Sequence, residues 1–165
     1  MNRTRIVLDG LSMCVVFNVS TALLWTIRPT ALSQMMPKEI RKAAPKLTRR
    51  DFIILAGVLH PMQALIIVYM ALSAINAGVS GFWPLFWTAY IEMQFVNLGD
   101  LIGLDGFFRA YVCKHGLVPP GTEKCETWGL KKWMLALALP EHLLGWPLFM
   151  CPLAGFVAAG IGWLT

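Results

Sequence analysis

Long apolar runs, separated by two polar and basic segments, set the pattern of this chain of 165 residues. Each run reaches about 20 residues, the length that an α-helix needs to cross a hydrocarbon core of about 30 Å. The runs predict transmembrane helices over residues 6–27, 51–77, 82–104 and 133–164. We therefore expect an all-α polytopic membrane protein, with about four transmembrane helices in a bundle that forms a single domain.

Local signals place the helix ends. Thr48 is followed three residues later by Asp51, a capping box that predicts the start of the second helix. Pro37 precedes the letters KEIRKAA, which suit a short surface helix with proline in its first turn.

The last apolar run is too long for one upright crossing, and three prolines interrupt it: Pro140, Pro147 and Pro152. We expect a kinked or broken helix there, or an interfacial segment followed by a span.

Composition and charge support this interpretation. Apolar residues make up 57% of the chain and charged residues only 14%, against roughly 25% charged in soluble domains. Eleven basic residues fall in two clusters: Lys38, Arg41, Lys42, Lys46, Arg49 and Arg50, then Arg109, Lys114, Lys124, Lys131 and Lys132. Because loops rich in lysine and arginine stay in the cytoplasm, residues 28–50 and 105–132 are predicted to be cytoplasmic loops that contact anionic lipids. Both termini are then predicted to lie outside a bacterial inner membrane, and nucleic acid is not an expected partner.

Ionisable groups within the apolar runs are the candidates for function, because a charge in hydrocarbon costs several kcal/mol unless it is paired or hydrated. The candidate ligand- or proton-binding residues are His60, Gln63, Glu92, Asn97, Asp100, Glu141 and His142. Counting residues from the predicted helix ends places His60, His142 and Asn97 at similar depth, with Glu92 a little deeper. We therefore expect a polar site between three helices, with Glu92 and His60 as its principal ligands for a proton, a metal ion or a small polar molecule.

Other interpretations remain open at this point. In one of them the chain is an accessory or assembly subunit whose polar groups only fix helix packing. His60 and His142 could instead ligate a haem or a redox metal from two helices, and Cys113, His115 and Cys125 could hold zinc at an unusual spacing. No P-loop, Rossmann or GxSxG motif is present. The cofactor is unknown, no catalytic residue is assigned, and a homo-oligomer or a membrane partner protein is expected.

The order NLGDLIGLD, then about a dozen residues, then VPPGTE resembles a widespread group of small four-helix bacterial membrane proteins with no established activity. The likeness covers residues 90–125. In this chain KCETW stands where that group has a tyrosine-rich stretch. The resemblance implies the same architecture, and it makes Asp105, Thr122 and Glu123 the matching loop positions to test.

Overall fold

The computed structural model describes residues 3–164, and their backbone is helical almost throughout. Helix makes up 85% of the structure and no strand occurs in the described range, which confirms the predicted all-α class. In chain order the main helices are α1 (Arg3–Ile27), α2 (Lys38–Ala43), α3 (Arg49–Asn76), α4 (residues 82–114) and α5 (Leu130–Leu164). Single turns at Pro29–Leu32, Ser33–Met35 and Glu126–Trp128 lie between them.

The start of α3 is the predicted capping box. The Asp51 backbone N–H donates to Thr48 Oγ1 at 3.2 Å, and the Thr48 backbone N–H donates to Asp51 Oδ2 at 2.9 Å. Asp51 also accepts a hydrogen bond from the Arg28 guanidinium at 3.0 Å. This buried carboxylate therefore joins the end of α1 to the beginning of α3.

Helix α4 is longer than the sequence predicted. It was expected to end at residue 104, but it continues through a π-helical stretch, Asp100–Phe108, and then through Arg109–Lys114. Asp105 and Arg109, placed by the sequence analysis in a polar loop, are only 7% and 6% exposed. Both find partners inside the fold, so their polarity does not end the helix. Helix α5 also begins earlier than predicted, at Leu130.

Proline positions coincide with further π-helical stretches. Leu55–Leu59 comes just before His60 and Pro61, and Met134–Ala138 comes two residues before Pro140. A third stretch, Glu141–Met150, contains Pro147. Proline has no N–H to donate, and the wider i→i+5 turn is one way to accommodate that loss. Helix α5 stays helical through all three of its prolines.

Helix α4 packs against α1, α3 and α5 and so lies among them. Small residues allow its close approach to α5, as is typical of helix pairs in membranes. A Cβ atom added at Gly155 would lie 2.6 Å from the Phe86 ring and 2.9 Å from the Phe86 carbonyl oxygen. Ala154 and Ala158, on the same helix, are fully buried.

Three helices, α1, α3 and α5, are long and apolar enough to cross a membrane. They expose large apolar side chains, among them Leu8, Val15, Leu65, Leu143 and Phe149. Helix α4 does not belong to this set; it carries Glu92, Asn97, Asp100 and Asp105 along its length. Three long apolar helices around a helix that carries a few buried ionisable groups are consistent with a membrane protein.

The two polar segments meet at one end of the molecule. The carboxylate of Glu39, on α2, accepts hydrogen bonds from the backbone N–H groups of Glu126 and Thr127, each at 3.1 Å. The side chain and the backbone N–H of Thr127 lower the pKa of Glu39 below its ordinary value. The two polar segments, which carry most of the basic residues, therefore lie beside each other.

Candidate functional site

The imidazole of His142 is the centre of a buried polar cluster. His142 lies on α5, is 2% exposed, and uses both ring nitrogens. Its Nδ1 is 2.7 Å from Asn97 Oδ1, and its Nε2 is 3.0 Å from Asp105 Oδ2. Asn97 and Asp105 both lie on α4, so the cluster joins these two helices.

Hydrogen-bond geometry fixes the proton on His142 Nδ1. The Asn97 side-chain NH₂ donates to the His142 backbone carbonyl at 3.1 Å and to Gln94 Oε1 at 3.0 Å. Since a carbonyl can only accept, Asn97 Oδ1 must be the atom that faces the ring. Oδ1 is an acceptor, so His142 Nδ1 carries a hydrogen.

The contact between His142 and Asp105 then holds one proton in either of two places. If Asp105 is ionised, the imidazole is doubly protonated and Nε2 donates to the carboxylate. If Asp105 is protonated, it donates to Nε2 of a neutral ring. The pair is neutral overall in both arrangements. Loss of that proton would leave the Nε2 lone pair facing a carboxylate, so any exchange changes the charge of the buried pair by one.

Asp105 is held by further contacts. Its Oδ1 accepts a hydrogen bond from Trp133 Nε1 at 3.0 Å. Its backbone carbonyl accepts from Arg109 Nε at 3.1 Å, and Arg109 Nη1 donates to the Trp128 carbonyl. Arg109 therefore bonds to one backbone oxygen of α4 and one of the turn before α5, and it belongs to the buried cluster, although the sequence analysis counted it among loop charges.

A cavity of about 70 Å³ adjoins this cluster. Asp100 and Glu141 line it, together with Asp105 and His142. In an ordinary α-helix two residues five apart point about 140° from each other. The i→i+5 turn at Asp100–Phe108 brings such residues towards one face, and Asp100 and Asp105 both reach the cavity. Four of the seven predicted site residues thus lie in or around one site: Asn97, Asp100, Glu141 and His142.

His60 and Gln63 lie elsewhere. His60 is exposed on the outward face of α3, the face that also carries Ala64 and Val68, and its Nδ1 is 3.3 Å from Gln63 Oε1. Gln63 borders a small apolar cavity of about 10 Å³ beside Trp146. Neither residue lines the cavity at His142.

Glu92 is buried, but it does not meet His60, so the expected pairing of these two residues is wrong. Glu92 is 1% exposed and interacts electrostatically with Asp9 and Arg5. The turn between α3 and α4 gives a common reference for depth. Glu92 lies ten residues along α4 from this turn, about 15 Å, whereas His60 lies about 24 Å along α3 from it. The estimate that Glu92 lies only a little deeper than His60 failed because it took residue 104 as the inner end of α4, which continues to Lys114.

A second polar cluster surrounds Asp9, which the sequence analysis did not single out. Ser73 Oγ donates to Asp9 Oδ2 at 2.5 Å and Tyr69 donates to Oδ1 at 3.1 Å, while Arg5 Nε is 3.5 Å from Oδ2. Asp9 is an ionisable residue inside the first apolar run. The criterion that selected Glu92 would have found it, had it been applied to α1 as well.

The two loop candidates other than Asp105, which are Thr122 and Glu123, have local structural roles. Thr122 is fully buried; its hydroxyl donates to the Pro119 carbonyl at 2.6 Å, and its own carbonyl accepts from Trp128 Nε1 at 2.8 Å. Glu123 is exposed and accepts a hydrogen bond from the Gly121 backbone N–H at 3.1 Å. Both residues shape the loop that leads into α5.

The geometry offers little to a metal or a haem. Within residues 3–164, no three His, Cys, Asp or Glu side chains form a group that could hold a metal ion. Cys113, His115 and Cys125 therefore do not come together as a zinc site. The two histidines of the haem hypothesis are also unsuited, because His60 is outward-facing and His142 has both ring nitrogens engaged.

Comparisons of the chain with protein-family models, with curated proteins and with solved structures found no match.

Proposed function

We propose that this chain is a multi-pass integral membrane protein whose buried His142–Asp105 pair binds and exchanges a proton, together with a small polar molecule in the adjoining cavity. In this proposal four helical segments cross a bacterial inner membrane, with α4 sheltered by α1, α3 and α5. Both termini face outward, and the two basic segments face the cytoplasm and its anionic lipids. We propose a homo-oligomer or a complex with a membrane partner protein, because four helices are few for a transporter.

One observation carries the proposal: a buried imidazole bonds a buried carboxylate on a neighbouring helix, and two more carboxylates line the cavity beside them. Gain or loss of a proton at such a site changes the electrostatic free energy of the protein strongly, because neighbouring dipoles are fixed and water is scarce. Asp100 and Glu141 are suited to pass a proton to or from the pair. Asn97 and Trp133 hold the two partners in position.

Proton uptake by the purified protein tests this proposal. Chains with His60→Gln and His115→Gln retain His142 as their one histidine. In weakly buffered detergent solution, acidification from about pH 8 to 5 should load more protons per molecule onto this protein than onto its Asp105→Asn form. The variant keeps the site packed but removes the carboxylate that shares the proton. Equal uptake by the two proteins would contradict proton exchange at the pair.

One observation supports a second candidate function. The described polar atoms of Asn97, Asp105 and His142 find partners inside the protein, as expected for groups that only fix helix packing. In that case the chain is an accessory or assembly subunit. Substitutions at Asp105 would then lower thermal stability and leave proton uptake unchanged.

A further inference from the structure

His60 is an ionisable residue on the outside of the helices. Within the described stretches 6–27, 52–76, 82–108 and 133–164, it is the one His, Asp, Glu, Lys or Arg residue that is exposed. The other exposed residues of these stretches are mostly apolar, as expected for surfaces that face lipid. His60 is the exception, and its position needs an explanation.

His60 and Gln63 lie in the middle of α3. This helix has 28 residues, about 42 Å, so a hydrocarbon core of about 30 Å leaves about 6 Å of helix at either end. His60 is about 16 Å and Gln63 about 21 Å along the helix from Arg49, well inside that core. Lipid offers no hydrogen bonds at this depth, so polar groups on the outer face are stable only against another polar surface.

The contact between His60 and Gln63 leaves one donor group and one acceptor unused. His60 Nδ1 is 3.3 Å from Gln63 Oε1, so Nδ1 of the neutral ring donates to the amide oxygen. His60 Nε2 is then an acceptor and the Gln63 NH₂ a donor, and neither has a hydrogen-bond partner within residues 3–164. The opposite orientation of the amide exchanges the two roles and again leaves one donor and one acceptor.

A polar pair of this kind is complementary to a second copy of itself. A two-fold axis along the membrane normal places equal residues of two chains at equal depth. In that arrangement His60 Nε2 of each chain accepts from the Gln63 NH₂ of the other, because residues three apart are only about 4.5 Å apart along a helix. A different membrane protein would need a donor and an acceptor of its own at the same depth.

Small residues leave room for a second helix on this face. Gly57 and Ala64 are exposed, about one turn before and one turn after His60. A Cβ atom added at Gly57 would meet nothing within 4 Å, so no neighbour inside the chain requires a glycine there. Helix pairs in membranes approach closely at such residues and are held by hydrogen bonds between polar side chains.

We infer that this face of α3, formed by Gly57, His60 and Ala64 with Gln63 at its edge, is the interface of a homodimer in which two copies of the chain exchange hydrogen bonds between His60 and Gln63. The inference rests on the proposed function in one respect, that α3 crosses the membrane. It selects a second copy, and not a different membrane protein, as the partner.

Cysteine cross-linking in native membranes tests the interface. In a chain whose four native cysteines are replaced by alanine, Ala64→Cys should form a disulfide-linked dimer on oxidation with copper phenanthroline. Leu144→Cys is the matched control, because Leu144 is exposed on α5 at a similar distance from the start of its helix, about 21 Å against about 22 Å. It should stay monomeric. A monomeric Ala64→Cys chain, whether lipid or another protein covers the face, or equal cross-linking of both variants, would overturn the inference.

Bulk added at Gly57 separates the dimer from the fold of the single chain. Gly57→Leu enters space that is open in the single chain but should obstruct a second helix, whereas Gly160 on α5 is equally open and lies outside the interface. Energy transfer between fluorescently labelled chains, measured as lipid dilutes them, should show association at least tenfold weaker for Gly57→Leu and unchanged for Gly160→Leu. Thermal unfolding shows whether each variant is folded. Undiminished association of a folded Gly57→Leu chain would also overturn the inference.

The hydrogen bonds are tested by replacing both polar residues. His60→Leu combined with Gln63→Leu suits a lipid-facing surface but removes both reciprocal contacts, so association should weaken about tenfold. The combination Leu65→Ala and Leu72→Ala, at exposed positions of the same helix that carry no polar group, should weaken it less. Association as tight as in the parent chain after loss of His60 and Gln63 would contradict the exchange of hydrogen bonds.

These experiments and the proton-uptake experiment fail separately. The His142–Asp105 pair lies within one chain, so proton uptake that depends on Asp105, without a dimer, leaves the proposed function standing and removes the interface. A dimer that is weakened by Gly57→Leu, without proton uptake, does the reverse.

Discussion

His142 Nε2 and Asp105 Oδ2 lie 3.0 Å apart, with one residue on α5 and the other on α4. The atoms on either side of this contact are already occupied: His142 Nδ1 by Asn97, and Asp105 Oδ1 by Trp133. The freedom left at the pair is whether its one shared proton is present and on which of the two partners it resides. The predictions below concern that pair, the helix packing around it and the arrangement of the chain in the membrane.

Asn97 should be the main structural support of His142. Asn97→Ala removes the acceptor for Nδ1–H and the donor for the His142 carbonyl, and both groups stay buried. The free energy of unfolding should fall by about 1–3 kcal/mol, measured by thermal or denaturant unfolding in detergent. Asn76→Ala, at the exposed end of α3, should cost less than about 0.5 kcal/mol. If the two variants are equally stable, Asn97 does not hold the imidazole.

Gly155 should be intolerant of any side chain. Gly155→Ala places a Cβ within 3 Å of both the ring and the backbone of Phe86, so α4 and α5 must separate. We expect a loss of about 1–3 kcal/mol from overpacking. Gly160→Ala on the same helix meets nothing within 4 Å and should be neutral or slightly stabilising. Equal melting temperatures for the two variants would show that α4 and α5 do not pack this closely.

The Glu39 contact should tie the two polar segments together in a pH-dependent way. Its folded-state pKa is lowered, chiefly by Thr127, so the stabilisation exists above the ordinary pKa and disappears as the pH falls through the folded value. Amide hydrogen exchange at Glu126 and Thr127, measured near neutral pH, should accelerate about two- to fivefold in Glu39→Gln. Glu123→Gln, on the same loop, should leave those two amides unchanged.

The orientation of the chain can be tested with thiol labelling. Cys125 and a cysteine introduced by Ser80→Cys should lie on opposite sides of the membrane, because residue 80 is in the turn between α3 and α4. The other native cysteines are first replaced by alanine. Burial, followed by Glu39 and Glu123, raises the pKa of the Cys125 thiol, so labelling belongs near pH 8.

An impermeant maleimide should label the residue 80 thiol in intact cells and Cys125 only after the membrane is opened. Labelling of both thiols in intact cells, or of Cys125 alone, would contradict the proposed topology.

Much of the fold followed from the sequence because single residues gave strong local signals. Thr48 and Asp51 fixed the start of α3, and the apolar runs gave an all-helical chain. The end of α4 could not be predicted in this way. Asp105 and Arg109 are typical of a loop, and only their partners, His142, Trp133 and the Trp128 carbonyl, allow the helix to continue to Lys114.

Only part of the candidate site could be predicted from the sequence. Asn97 and His142 meet, although Asn97 was counted from residue 104, ten residues before the observed end of α4. Glu92 and His60 do not meet, for two reasons. The inner end of α4 lies ten residues later than predicted, so the predicted depth of Glu92 was wrong, and His60 lies on the outward face of α3. Asp105 joined the site through a π-helical stretch, which sequence periodicity at 100° per residue does not anticipate.

Nitrogen-15 NMR of His142 is the most direct measurement of the central claim, in protein labelled at histidine and carrying His60→Gln and His115→Gln. In the otherwise unaltered site, Nδ1 should stay protonated throughout, while the Nε2 resonance should move with pH as the proton shared with Asp105 is gained and lost. Asp105→Asn should fix a neutral ring with hydrogen on Nδ1 alone, because the introduced amide can donate to Nε2 and still accept from Trp133. An Nε2 resonance that is independent of pH in the unaltered site, and identical in Asp105→Asn, would contradict the account.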